Sequence, residues 1–425
     1  MSPGNRIYAD YNATAPLRPE AKAAMTAALD LTGNPSSVHA EGRKARALVE
    51  GAREAVAAAI GACRDDITFT SGGTEAIALP LRGVMRRPGW HGVLVTSGLE
   101  HDAVVSIVEE SERANAEHTA LMGTWLDNRV TDEDLDARWN QLKPSAPPAM
   151  RSWPVKPDGR VDLDFLRVAL KPKMPEGFCW LVSLMLVNNE TGVIQPVAEA
   201  AEIVHAAGGL IHCDAIQGLG KTEVSIIELD VDYLSLSAHK IGGPQGMGAT
   251  YIKPGAPFSA IQTGGGQEFG RRAGTENVAA IAGFGAAAEA AIAGLGDYQA
   301  LAPHRDRMET KLKAAASSLQ IHGDAARRVA GVSCFGVEGL PSETQVMGLD
   351  LAGFAVSAGS ACSSGKVKPS RVLTAMGLSD TAAKSSIRAS FGWASKAEDF
   401  DALAGAWIKM AARARPQLVK LEANV

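Results

Sequence analysis

Short apolar runs of strand character recur along the chain at Ile67–Thr70, Gly92–Thr96, Trp180–Val187, Gly209–Cys213 and Tyr233–Ser237. Between them lie Ala-rich stretches with helical spacing, among them Pro19–Asp30, His39–Gly61 and Val197–Ala207. This alternation predicts an α/β domain on a mainly parallel sheet. Nearly every strand runs at once into polar or glycine residues: Ser71-Gly72-Gly73-Thr74, Asn188-Asn189-Glu190, Asp214, and His239-Lys240. Open parallel sheets bind ligands beyond the carboxyl ends of their strands, so these segments are expected to converge on one site.

From about Ala291 the pattern changes to longer amphipathic helices with a few short strands. Tyr298–Leu319 and Ala397–Arg413 are the helices expected there, on a smaller α+β domain. The segment Ser111–Trp153 carries three of the seven tryptophans and the pair Pro147-Pro148, which predicts a packed insertion rather than a linker.

Composition narrows the function. The 425 residues are 46% apolar and 21% charged, ordinary for a globular protein. With 42 basic and 47 acidic side chains there is no basic excess to attract nucleic acid. Phe178–Val187 is about half the ~20 residues that a membrane helix needs, and Val278–Gly296 is mostly Ala and Gly, which suits a closely packed internal helix. No membrane segment is expected. The first residues contain no apolar run, so no secretory signal is expected and a cytoplasmic location follows. Five cysteines, an odd number without a C-x-x-C pair, argue against a disulfide framework and a stable metal site.

Six segments carry candidate chemistry. Ser235-Leu-Ser237-Ala-His239-Lys240 leads into Ile241-Gly-Gly-Pro-Gln-Gly246. A lysine closing a strand there is placed to form a Schiff base, since desolvation lowers its pKa and frees the amine. Ile211-His-Cys-Asp214-Ala-Ile-Gln217 puts an aspartate at a strand end, where it would hold the ring nitrogen of pyridoxal phosphate protonated, with Gln217 reaching the ring hydroxyl. Thr70-Ser-Gly-Gly73-Thr74-Glu75 offers backbone N–H groups and a hydroxyl at a helix N-terminus, a phosphate cradle. His101, in Glu100-His-Asp102, has the pKa range of a proton shuttle and would stack on a cofactor ring. Cys362 lies among small residues in Val356–Gly365, which leave room for an added sulfur atom and give a nucleophilic thiolate access and mobility. Arg388, in Ser385–Ser390, carries the fork that binds a carboxylate through two parallel hydrogen bonds. Taken singly, each has a plainer reading: a surface lysine, a capping aspartate, a capped helix start, a core histidine, a turn that contains cysteine, a salt-bridging arginine.

In this order, and together with Tyr8-Ala-Asp-Tyr-Asn-Ala-Thr-Ala-Pro16, Gly33-Asn-Pro-Ser-Ser-Val-His39, Asn188-Asn-Glu-Thr-Gly192, Gly264-Gly-Gly-Gln-Glu268 and Arg271-Arg-Ala-Gly-Thr-Glu-Asn277, the segments resemble the cysteine desulfurases, pyridoxal-phosphate enzymes related to class V aminotransferases. The resemblance implies a fold-type I homodimer. Its large cofactor domain would cover about residues 15–290, and a small domain would join 1–14 to 291–425 and carry the Cys362 loop. Lys240 would be the cofactor lysine. Gly73, Thr74, Ser237 and His239 would contact the phosphate, with Thr275 reaching across from the partner subunit. Asp214, Gln217 and His101 would contact the ring, and Asn189 with Arg388 the substrate carboxylate. Cys362 would take sulfur from L-cysteine, leaving L-alanine, and pass it to an acceptor such as an iron–sulfur scaffold or a thio-cofactor relay. Transient iron at Cys362 during cluster assembly also fits.

A selenocysteine lyase or a true class V aminotransferase would share the cofactor residues, and a non-catalytic sulfur-pathway scaffold would share the fold. Departures from the family pattern are Ile77 and Ala78 after Thr-Glu, Ala238 for glycine, Gln245 for lysine, Phe269 for arginine, and the long Ser111–Trp153 segment.

Overall fold

The computed structural model describes residues 6–87, 91–114, 149–171, 178–359 and 368–419. Most of the Ser111–Trp153 segment, and Cys362 itself, lie outside the described residues.

The larger sheet has seven strands: β2 (Ile67–Thr70), β3 (His91–Ser97), β4 (Ala149–Trp153), β5 (Phe178–Met185), β6 (Leu210–Asp214), β7 (Tyr233–Ser237) and β8 (Gly248–Ile252), in the order β2-β8-β7-β6-β5-β3-β4. Only β8 runs against the others, so the sheet is mixed but mainly parallel, an α/β layer of the fold-type I kind. β2 and β7 both pair antiparallel to β8 and therefore share a direction, which brings the carboxyl ends of β2, β3, β5, β6 and β7 to one edge. Central strands are apolar on both faces because helices cover both, as parallel sheets require.

Four helices flank the first part of the chain: α1 (Pro19–Leu29), α2 (Ala40–Ala58), α3 (Gly73–Met85) and α4 (Asp102–Ala114). The Ala/Gly stretch is a helix over Val278–Ala293 that packs on α1 and α2. Its glycines allow the approach: a Cβ at Gly285 would sit 2.6 Å from Ala52 Cα, and one at Gly283 2.5 Å from Met25 Cγ. Among the described residues no single helix is long and apolar enough to cross a membrane.

The rest of the chain forms a four-stranded antiparallel sheet, β12 (Ser357–Ala358), β13 (Ser386–Ser390), β10 (Val332–Gly336) and β9 (Gln320–Ile321), with helices against it. The first strand, β1 (Ile7–Tyr8), pairs in parallel with β11 (Phe354–Ala355), and Asp10 bridges to Ser390. The residues just after β1 thereby lie between the two sheets.

Three expectations change. The helix expected over Tyr298–Leu319 is two helices, Leu295–Gln299 and Ala302–Ala315, because Pro303 in the first turn of the second has no N–H to continue a helix from upstream. The strand expected to reach Val187 ends at Met185, where Leu186 N turns to donate to Asp214 O at 2.9 Å. β8 and β4 were not foreseen. β8 is rich in small residues, Gly248-Ala-Thr-Tyr-Ile252, and Gly248 has no room for a side chain because a Cβ would meet Gly72 O at 2.6 Å.

Candidate active site

β7 delivers Lys240 through a single 3-10 turn, Ala238–Lys240. Its Nζ donates to Asn12 O at 2.7 Å and to Ala13 O at 2.9 Å. Burial, with the charge of Arg388, lowers the amine to about 8, while Asp214 and Asp10 oppose the shift. His239, beside it, lies with Nδ1 3.2 Å from the Thr14 hydroxyl, and burial next to Lys240 and Lys221 pushes it down to about 4. It is therefore neutral at pH 7.

β6 ends on Asp214, which is buried and accepts from Ile216 N at 3.0 Å. Burial raises its carboxyl, and the nearby His101 and Lys240 pull it back toward the charged form. His101 is exposed beyond β3 and takes Ala103 N on Nδ1 at 3.1 Å, so its free nitrogen is Nε2. Gln217 donates from Nε2 to Asn12 O at 2.9 Å, and its oxygen accepts from Lys221.

Between β2 and α3 the chain passes Gly72 at φ 146°, a conformation that favours glycine. Gly72 offers no side chain to the first turn of α3, so its N–H groups remain available to an anion. Ser237 Oγ is buried beside that turn with no partner among the described residues. A Cβ on Gly73 would come within 2.7 Å of Ile216 Cδ1 and 3.3 Å of Ser237 Cβ. An uncapped helix start facing an orphaned hydroxyl is a fit for a phosphate, and Thr74 is exposed in the same turn. The Glu75 carboxylate accepts Ser71 N at 2.7 Å and Arg272 Nε at 2.8 Å, tying α3 to the Gly264–Asn277 segment. Thr275, in that segment, is exposed.

β13 brings Arg388. Its Nη1 donates to Asn189 O at 3.0 Å and its Nη2 to Asp10 Oδ1 at 2.7 Å, while Nε is buried without a partner among the described residues. Asn189, after β5, also accepts from Asn12 Nδ2 at 2.9 Å through its backbone oxygen. The sequence-predicted residues Gly73, Asp214, Gln217, Ser237, His239, Lys240, Asn189 and Arg388 thus meet at one edge of the sheet. The segment holding Cys362 leaves and rejoins the described chain beside them. Ser370 Oγ donates to Glu190 Oε2 at 2.6 Å, a Cβ on Gly359 would lie 2.5 Å from that same oxygen, and Arg371 donates to Glu100 O at 2.6 Å.

Four participants escaped the sequence reading. Asp10 and Asn12 lie inside the Tyr8–Pro16 motif, Glu190 inside Asn188–Gly192, and Lys221 four residues after Gln217. The first three fall inside segments that carry the family resemblance. Lys221 had only its spacing from Gln217 to mark it. Among the departures, Ala238 is fully buried with Gly243 packed on its methyl, Ile77 is buried against Leu81 and Val104, and Gln245 is exposed. Phe269, at φ 58°, lies under the Arg53 and Arg271 guanidinium groups. Cys63, Cys179, Cys213 and Cys334 are free thiols, and no cluster that could hold a metal ion occurs among the described residues.

The family model described as aminotransferase class-V matches residues 7–125 and 136–403. The chain belongs to this family, among its cysteine desulfurases. A cysteine desulfurase of Cereibacter sphaeroides is 40% identical over 396 residues, 92% of each chain. The cysteine desulfurase IscS of Dictyoglomus turgidum is 37% identical, over 93% of this chain and 92% of its own. A NifS-like protein from Rickettsia africae shares the fold with a TM-score of 0.79 at 29% identity, over 96% of this chain and 99% of its own. Family members are pyridoxal-phosphate enzymes, and a lysine, a buried aspartate and an anion cradle at one sheet edge suit that chemistry.

Proposed function

We propose that this protein removes sulfur from L-cysteine, releasing L-alanine, and holds the sulfur on Cys362 for transfer to an acceptor protein. The observation that carries the reading is the joint placement of Lys240, Asp214 and the orphaned Ser237 hydroxyl around the start of α3. When bound there, pyridoxal phosphate supplies an electrophilic carbon for amines and a ring that draws electron density from the substrate's Cα.

The chain's own residues do the rest. The α3 N–H groups, Thr74, Ser237 and His239 hold the phosphate, joined by Thr275 of the partner subunit in a homodimer. Asp214 keeps a proton on the ring nitrogen, and His101 covers the ring. Gln217 donates to the ring oxygen. Arg388, through its free Nε, and Asn189 hold the substrate carboxylate. Lys240, lowered to about 8, is partly neutral near pH 7 and moves the proton at the substrate's Cα. The Cys362 thiolate attacks the substrate sulfur: the S–S bond forms as the C–S bond breaks, and the electron pair left on the carbon fragment is protonated to give alanine. In this reading His101 takes the thiol proton on Nδ1, the nitrogen that its contact with Ala103 N–H marks as unprotonated, and gives up that contact as it does so.

The same reading divides the chain at about residues 15–290 and 1–14 with 291–425, and puts the protein in the cytoplasm with an iron–sulfur scaffold or thio-cofactor carrier as acceptor. The relatives named as desulfurases favour it over a selenocysteine lyase or an aminotransferase. It is tested with Cys362→Ala, which is expected to keep the bound cofactor's absorbance and release neither alanine nor sulfide from cysteine. Undiminished turnover by that variant would overturn the role of Cys362.

A further inference from the structure

Lys221 is buried in the turns that follow β6, on a segment that also buries Gln217 and Thr222 beside Ala215 and Leu219. Its Nζ touches two side-chain amides, Asn12 Oδ1 at 2.7 Å and Gln217 Oε1. Because the amino group donates to both, both contacted atoms are oxygens, and each amide must turn its NH2 the other way. The remaining contacts agree. Asn12 Nδ2 donates to Asn189 O at 2.9 Å, and Gln217 Nε2 donates at 2.9 Å to Asn12 O, the same oxygen that accepts from Lys240 Nζ.

An amide's oxygen and nitrogen are nearly the same size, so without a donor at this place a half-turn of either amide meets little steric cost and is opposed only by the one bond that Gln217 Nε2 gives Asn12 O and the one that Asn12 Nδ2 gives Asn189 O. The charged groups around Lys221 are Lys240 and Arg388, with His239 beside Lys240 and Asp214 and Asp10 facing Lys240. Burial and the two cations hold Lys221 well below its ordinary value. The neutral amine still has two N–H bonds for its two acceptors, so the arrangement survives loss of the charge.

We propose that Lys221 is a positioning residue of the cofactor site, locking the Gln217 and Asn12 amides so that Gln217 presents N–H, not oxygen, to the ring hydroxyl of pyridoxal phosphate. It rests on the reading of the site given above. A donor at that oxygen favours its deprotonated form, so losing the donor raises the pH at which the bound chromophore titrates.

The test is a pH titration of the visible absorbance of the full-length protein loaded with pyridoxal phosphate, for wild type, Gln217→Ala, Lys221→Met and the double variant. Both single variants are expected to move the midpoint upward by about one pH unit, the tenfold effect of one lost hydrogen bond to a charged group. The double variant moves it no further than Gln217→Ala alone. An unmoved midpoint in Lys221→Met, or fully additive shifts, overturns the assignment. If Lys221→Met does not fold, Lys221→Gln keeps one donor: a midpoint between wild type and Gln217→Ala supports the proposal, and a wild-type midpoint overturns it. Gln217→Ala separates the two levels. If it leaves the midpoint in place, or if wild type takes up no cofactor, the reading of the site fails and Lys221 with it; if it shifts the midpoint and Lys221→Met does not, only Lys221 is misassigned.

Discussion

Arg388 is held by Asp10: Nη2 donates to Oδ1 at 2.7 Å, and the second oxygen of the same carboxylate accepts from Ser357 Oγ at 2.7 Å. The contact joins the segment after β1 to β13 and β12, and fixes a buried guanidinium whose Nε has no partner among the described residues, the atom proposed above to meet the substrate carboxylate. Asp10→Asn keeps the shape and one acceptor but removes the charge. The expected result in steady-state kinetics is a KM for cysteine raised about tenfold, roughly 1.4 kcal/mol of binding, with kcat nearly unchanged. A lowered kcat at constant KM would contradict a positioning role.

Glu268 stands in a buried bidentate pair with Arg53, at 2.5 and 2.9 Å, and also accepts Phe69 N at 2.8 Å. It reaches these partners from a backbone at φ 51°. Glu268→Ala leaves the buried guanidinium with only Glu50, 3.4 Å from its Nε, and the Ile67 carbonyl, so unfolding in urea is expected to lose about 3 kcal/mol. A loss below about 1 kcal/mol would show that Arg53 finds water or another acceptor.

Glu190 is buried against Ser370, Arg388 and Arg371, and burial raises its carboxyl from 4.5 to about 7. A pKa higher in the folded than in the unfolded chain contributes stability that is full below about 4.5 and disappears as pH rises through about 7. Glu190→Gln lacks this titration. The variant is therefore expected to gain stability relative to wild type between about pH 5 and pH 8, by at most about 3 kcal/mol. A stability difference that stays flat with pH would mean that the fold does not raise the Glu190 carboxyl.

Gly73 leaves the space between Ile216 and Ser237 open at the start of α3. Gly73→Ala is expected to weaken pyridoxal phosphate at least tenfold, about 1.4 kcal/mol, in a fluorescence titration, while the thermal transition stays close to wild type. Equal affinity would remove this turn from the phosphate site.

The carboxyl edge of the sheet was legible because each parallel strand carries its own signature: an apolar run ending abruptly in Asp214, in His239-Lys240 or in Ser71–Thr74. β2 and β7 appeared at their observed bounds for that reason. β8 did not, since Gly248–Ile252 owes its place to the close approach of Gly72 rather than to an apolar pattern. The residues that orient the site were legible as motifs but not as contacts. Asp10 and Asn12 act on partners 177 to 378 residues away, a distance in sequence that no local periodicity reports. Lys221 was hidden because an isolated lysine normally signals a solvated surface, and only its two amide acceptors reveal it as buried.

The most direct test of the account is mass spectrometry of the pyridoxal-phosphate-loaded protein after brief incubation with L-cysteine, digested without reductant. The peptide containing Cys362 is expected to gain the mass of one sulfur atom, in the wild type and not in Lys240→Ala. Alanine production with that peptide unchanged in mass would contradict it.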